Sequence, residues 1–132
     1  MSSRRATCSC GALELTCEGD PVRVSVCHCL ACQKRTGSVF GQQARFPLDK
    51  ISAKGAERIW VRTTDEGNTV THHFCPTCGS TVYYELGGLP GFAGVPVGGF
   101  ADPSFPSPTF SVYEARRHAW VATATHEMEH WD

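Results

Sequence analysis

Apolar and polar residues alternate with a period of two along much of the chain. Leu13 and Leu15 alternate with polar neighbours and lead into Cys17, and Val22, Val24 and Val26 do the same before Cys27. Side chains two apart on a strand share a face, so both runs predict strands with one buried side. Glu18-Gly19-Asp20-Pro21 between them reads as a turn. Further strands are predicted over 39–46, 57–63, 69–74, 80–86, 95–100 and 109–114. Phe46-Pro47, Asp65-Glu66-Gly67 and the glycine-rich stretch 87–94 separate them. Only 30–36 suits a helical turn, which Gly37 would end. Short strands between frequent turns predict a mainly β fold: a single antiparallel β domain over 1–132, closed or sandwiched.

Composition narrows the functional classes. The longest apolar runs are a few residues, too short for a helix to span a bilayer, so no membrane partner is expected. Net charge is −1 with acids and bases interspersed, which leaves no broad basic footprint and predicts no nucleic-acid partner. Arg4-Arg5 and Arg116-Arg117 read as solvated faces. Met1-Ser-Ser-Arg-Arg is not followed by an apolar segment, so no secretory signal is expected and the location is read as cytoplasmic.

A reducing compartment changes the meaning of the eight cysteines. Seven fall into Cys8-Ser-Cys10, Cys27-His-Cys29-Leu-Ala-Cys32 and Cys75-Pro-Thr-Cys78, and clustered thiols there bind metal more often than they form disulfides. A closed structural zinc site takes four ligands; a catalytic one keeps three and an exchangeable position. Cys8, Cys10, Cys75 and Cys78 make one complete set, leaving Cys27, Cys29 and Cys32 as an open trio. Cys8 and Cys10 could instead join Cys27 and Cys29. The outer pairing is preferred because it completes one site and closes a long loop, where a cross-link stabilises most. Strand period would put Cys8 and Cys10 on one face, and Gly79 would let the chain curl around a metal after Cys75-X-X-Cys78.

These motifs, with Cys8-Ser-Cys10-Gly-Ala, Cys27-His-Cys-Leu-Ala-Cys32-Gln-Lys-Arg-Thr-Gly37 and Phe74-Cys-Pro-Thr-Cys-Gly79 in that order, resemble the glutathione-dependent formaldehyde-activating enzyme family. That family also includes centromere protein V, and the resemblance runs from about Cys8 to Trp120. It implies an Mss4-like zinc-binding β fold and carbon–sulfur lyase chemistry of the S-(hydroxymethyl)glutathione synthase type. It also implies two Zn²⁺ per chain: a structural one on Cys8, Cys10, Cys75 and Cys78, and a catalytic one on Cys27, Cys29 and Cys32. Glutathione would be the co-substrate, with a small aldehyde as its partner.

The chemistry of an open trithiolate zinc points the same way. Three thiolates leave Zn²⁺ with net charge −1, a poor generator of hydroxide but a good holder of a fourth thiolate facing a carbon electrophile. The expected substrates are a small-molecule thiol and an aldehyde-like carbon. Lys34, Arg35 and Gly37 are candidate contacts to glutathione; solvated basic residues and a helix end are the alternatives. His28 should point away from Cys27 and Cys29 by alternation. Of His72 and His73, one is expected near the structural zinc and the other in solvent, while His118, His126 and His130 carry no assigned chemistry. Cys17 is either a fourth ligand for the trio or a buried small side chain, and its register after Leu13 and Leu15 favours the second. The competing functional class is a non-catalytic zinc-stabilised module that binds a protein or a glutathione conjugate.

Overall fold

The computed structural model describes residues 2–122 and 128–132. In chain order the elements are β1 (Ser3–Thr7), β2 (Glu14–Glu18), β3 (Arg23–Cys27), α1 (Leu30–Thr36), β4 (Gly41–Pro47), β5 (Ile51–Lys54), β6 (Arg58–Thr63), β7 (Thr69–Phe74), β8 (Thr81–Leu86), β9 (Phe92–Pro96), β10 (Phe110–Val112) and β11 (Glu129–His130). Single 3₁₀ turns occupy Leu48–Lys50, Val97–Phe100 and Glu114–Arg116. No helix among the described residues is long and apolar enough to cross a membrane.

The strands form two sheets, a small one in the order β1-β2-β5 and a large one in the order β11-β10-β3-β4-β9-β8-β7-β6. Alternation buries one face of each against the other. Ala6, Leu15 and Cys17 of the small sheet meet Val24, Ala44, Phe46, Tyr83, Ala93 and Val95 of the large one in a single core. Phe46 is fully buried there, which by itself removes apolar area worth about 1.5–3 kcal/mol.

The fold is mainly β and sandwiched, as the sequence pattern predicts, with two differences. First, β10 runs parallel to both β3 and β11, so the large sheet is mixed rather than wholly antiparallel. β9 runs in the same direction as β3 and β10, so the chain between Pro96 and Phe110 must return along the sheet before β10 begins. Second, β1, β5 and β11 have no counterpart among the predicted strands, and the strand expected over 95–100 is instead β9 followed by a 3₁₀ turn. All three missed strands are sheet edges, and most of their side chains are exposed. Half-buried alternation is therefore too weak to mark them.

Register organises the other face of the large sheet. Arg23 lies opposite Arg45, Arg45 opposite Gly94, Gly94 opposite Tyr84, Tyr84 opposite His72, and His72 opposite Trp60. Directly paired residues share a face, so this is one row across six strands, turned away from the core. Cys27 and Gly41 are paired four residues along β3 and β4 and share that face.

Candidate metal centres

Two groups of cysteine sulfurs are brought together, each with its sulfurs within 4.8 Å of one another: Cys8, Cys10, Cys75 and Cys78, and Cys27, Cys29 and Cys32. The grouping follows the outer pairing of the cysteine motifs, and Cys8 and Cys10 do not join Cys27 and Cys29. Cys17 belongs to neither; it is fully buried in the core between the sheets, and burial pushes its thiol up to about 12.

The tetrad joins two turns. Cys8 and Cys10 lie in the connection between β1 and β2, not on a pleated strand, so a turn rather than strand period aims their sulfurs together. The Leu13 amide donates to Cys8 Sγ at 3.2 Å. Cys75 to Cys78 form the turn between β7 and β8, where Gly79 donates its N–H to the Cys75 carbonyl at 2.8 Å. That glycine has φ +81°, a left-handed conformation costly for other residues. Ser9 and Ser80 tie the turns together through a 2.9 Å hydroxyl contact. The Thr77 amide donates to Cys75 Sγ at 3.3 Å, and the Ser80 backbone N–H leads the contacts that lower Cys78 to about 5.

Zinc fits this arrangement. Zn–S bonds of about 2.3 Å in a tetrahedron place sulfurs about 3.8 Å apart. The separations Cys8–Cys10 and Cys10–Cys75 are both 3.7 Å.

The trio is local. Cys27 ends β3, Cys29 is the N-cap of α1, and Cys32 sits in the first turn, its amide donating to Cys29 Sγ at 3.3 Å. The Cys27 thiol, then the Cys32 thiol, donate to Cys29 and hold it well below the usual thiol range, with the Cys32 amide and Arg62 helping. Cys27 is pushed up, first by sharing its proton with Cys29 and then by Cys32 and burial. Among the described residues, no fourth His, Cys, Asp or Glu atom joins the group.

Around the trio stand Arg35, a candidate from the sequence, and several residues that the sequence does not single out. The Arg35 guanidinium lies 5.4 Å over the Tyr84 ring and acts electrostatically on Cys32. Arg62 acts likewise on Cys29. Tyr84 is buried and packs against Gly94, and its ring lies 5.5 Å from His72, itself 5.4 Å from Trp60. Tyr113, with φ +57° and 49% exposure, also feels the three thiols; burial first, then Glu66 and the trio, raise its pKa. Positions two apart on β6, β7 and β8 carried the signal, but it emerges only when four strands are in register.

The remaining candidates divide clearly. Arg35 turns back toward the trio, whereas Lys34 is exposed and makes no described contact with it. Gly37 caps α1, and its N–H is committed to the Gln33 carbonyl at 2.8 Å. His28 points away from the trio as alternation predicts, buried with Nε2 at 3.1 Å from Ser111 Oγ. Ser111 donates to Glu114 at 2.6 Å, and His130 meets the same carboxylate at 2.8 Å. His118 pairs with Gln33 at 3.1 Å, and His126 lies outside the described residues.

The expectation for His72 and His73 needs correction, because both are buried and neither touches the tetrad. His73 stacks on Tyr83 at 4.1 Å between Glu57 and Glu85, at 3.1 and 2.7 Å. Strand alternation does send the two rings to opposite faces, but both faces are covered: one by the core side, the other by Trp60 and Tyr84.

Comparison with known proteins places this geometry. A crystal structure of a Rhodobacter sphaeroides protein superposes with a TM-score of 0.58 at 21% identity, covering 97% of this chain and 99% of the other, which establishes a shared fold. A model of the family described as glutathione-dependent formaldehyde-activating enzyme matches residues 3–116, including all seven clustered cysteines. By that match the chain belongs to the glutathione-dependent formaldehyde-activating enzyme family.

Proposed function

We propose that the protein is a zinc-dependent carbon–sulfur lyase that joins a small thiol such as glutathione to formaldehyde or a related carbonyl carbon, or reverses that addition. The observation that carries the reading is the trio: three sulfurs gathered at the end of β3, with no fourth protein ligand beside them among the described residues. The tetrad is read as the structural zinc site and the trio as the catalytic one. Bound to three thiolates, zinc supplies an exchangeable fourth position that keeps an incoming thiol ionised near neutral pH.

The chain's own groups supply the rest. Cys29 is both a ligand and the cap of α1, so its sulfur is aimed before any substrate arrives. Arg35 and Arg62 put positive charge beside the three thiols, where it would offset the negative charge of a thiolate substrate. Tyr84 and His72 form a wall next to that charge. In the reaction the substrate sulfur forms a bond to the carbonyl carbon, the C=O π bond breaks, and the thiol's proton ends on the carbonyl oxygen.

The test is metal stoichiometry on anaerobically purified protein, followed by cobalt substitution at the second site. Two metals per chain, a cobalt spectrum that changes on adding glutathione, and faster hemithioacetal formation that Cys29→Ser abolishes are expected. A cobalt spectrum indifferent to thiols would refute the reading and favour a binding module.

A further inference from the structure

His28 stands in the chain between two ligands of the trio, yet its ring turns away from their sulfurs into a buried polar network. The ring is fully buried, as is Ser111 on β10, whose Oγ lies 3.1 Å from His28 Nε2. Ser111 gives its one hydroxyl proton to Glu114 Oε2 at 2.6 Å, so its oxygen accepts from the imidazole and Nε2 carries the hydrogen. The same Glu114 oxygen meets His130 Nδ1 of β11 at 2.8 Å. His28 Nδ1 is buried without a partner, so the bond to Ser111 is the ring's one hydrogen bond among the described residues. Four side chains thus link a position inside the trio to the last strand.

The backbone of His28 is anchored from the same direction. Its N–H donates to the Val112 carbonyl at 3.1 Å, and Gln33 Nε2 donates to its carbonyl at 2.9 Å. Gln33 is itself held by the Arg116 carbonyl at 3.2 Å and by His118 Nε2 at 3.1 Å. β11 in turn is tied down: Glu129 and Trp131 donate N–H groups to Thr109 and Ser111 at 2.9 and 2.8 Å, and Glu114 donates to Trp131 at 3.0 Å. The family match stops at residue 116, so His118 and β11 lie beyond the matched span. His28, Glu114 and His130 contribute no ligand atom to either sulfur group. Their effect on the trio therefore passes through the backbone that carries Cys27 and Cys29. A binding constellation has to be held to within about 0.5 Å, and groups that orient metal ligands from the next layer typically change affinity about 10–100-fold.

We propose that His28 is a positioning residue for the trio, held in place through Ser111, Glu114 and His130, so that the C-terminal strand β11 sets how tightly the trio binds its metal. This rests on the trio being a metal site and is independent of which substrate that metal serves. It deepens the proposed function by giving residues that touch neither metal nor substrate a share in the site.

Cobalt titration of the full chain with zinc kept in the tetrad reads the affinity of the trio through its sulfur-to-metal absorption. One zinc retained per chain shows that the tetrad and the fold persist. His28→Leu fills the space without a donor and should weaken cobalt binding about 10–100-fold. His28→Gln sets an amide nitrogen where Nε2 stood and should bind within about threefold of the parent. His130→Ala, at the half-exposed outer end, should weaken binding about threefold, and it carries the test even where a buried substitution prevents folding. Parent-like affinity in His28→Leu or in His130→Ala overturns the proposal, as does an equal loss in His28→Gln and His28→Leu, which would mark a packing role. A parent chain that binds one metal only refutes the trio as a metal site and the proposal with it. A cobalt spectrum indifferent to glutathione refutes the lyase reading alone and leaves these affinities to be read.

Discussion

Gly94→Ala is the most economical way to disturb the candidate site without touching a cysteine or an arginine. A Cβ at this position would stand 2.3 Å from Tyr84 Cε2, 2.5 Å from Cζ and 2.9 Å from the hydroxyl oxygen. Carbon atoms in contact prefer about 3.5–4.0 Å, so the ring must retreat by more than 1 Å, about the difference between those figures. It has little room, because Tyr84 is buried, with Arg35 above it and His72 beside it. Overpacking of this kind costs about 1–3 kcal/mol, and the lost freedom of the unfolded chain returns about 0.4–1 kcal/mol. The net expectation is about 1–2 kcal/mol. With an unfolding entropy of about 2.1 cal/mol/K per residue over 132 residues, that lowers Tm by about 4–7 °C. Thermal melts by circular dichroism measure it, with Gly98→Ala as control, because a Cβ there meets nothing within 4 Å. In a Tyr84→Ala background the same change should cost nothing, since the ring it strikes is gone. A Gly94→Ala protein that melts at or above the parent temperature, or an undiminished penalty in the double variant, would refute the contact.

The two sulfur groups should respond differently to removal of one ligand. Cys75→Ser disables a site that joins the β1–β2 and β7–β8 turns; with structural zinc contributing about 10–16 kcal/mol, the variant should be unfolded by circular dichroism, and native-like melting would show the tetrad is dispensable. Cys29→Ser should instead stay folded, lose one metal per chain by elemental assay and lose the thiol-dependent cobalt spectrum. Cys17→Ala should keep the full metal content and lose about 1 kcal/mol of stability in urea melts, because its sulfur packs in the core. Stability should also depend on pH through His72, which burial, followed by Arg35, Arg62 and His73, lowers from 6.5 to about 4. Between those values the unfolded chain takes up a proton that the folded one refuses, so stability falls as pH drops from about 6.5 toward 4. His72→Phe should flatten that slope, and an unchanged slope would assign it to other groups.

What the sequence reveals depends on how far apart the cooperating residues lie. The cysteine motifs are legible because each is a short spacing, and β7 is read to the residue because Asp65-Glu66-Gly67 before it and Cys75-Pro76 after it bound the run. The partition into tetrad and trio follows from ligand arithmetic together with the preference for closing a long loop. The way Cys8 meets Cys10 is not legible, since the same spacing suits a strand and the turn actually used. β9 is displaced toward Phe92 because Val95, Val97 and Phe100 look alike whether the chain stays extended or coils after Pro96. The arginines on the large sheet's outer face are the largest omission: Arg23, Arg45 and Arg62 are 17 to 39 residues apart, and only cross-strand register puts them on one face.

The position of β6 at the end of the large sheet has a consequence for how the molecule behaves in company. An edge strand offers unpaired backbone groups to any neighbour, and here it displays Ile59, Trp60 and Val61, all more than half exposed. Arg58 and Arg62 bracket them. If two copies paired this strand antiparallel about Trp60, Arg58 of each would face Arg62 of the other. Shifting by one residue sets Arg62 against Ile59 in one direction and against Glu57 in the other, so of these three registers only the one centred on Trp60 opposes like charges. Arg58 and Arg62 thus disfavour self-association in the symmetric register, where each strand would otherwise stack Trp60 on its copy.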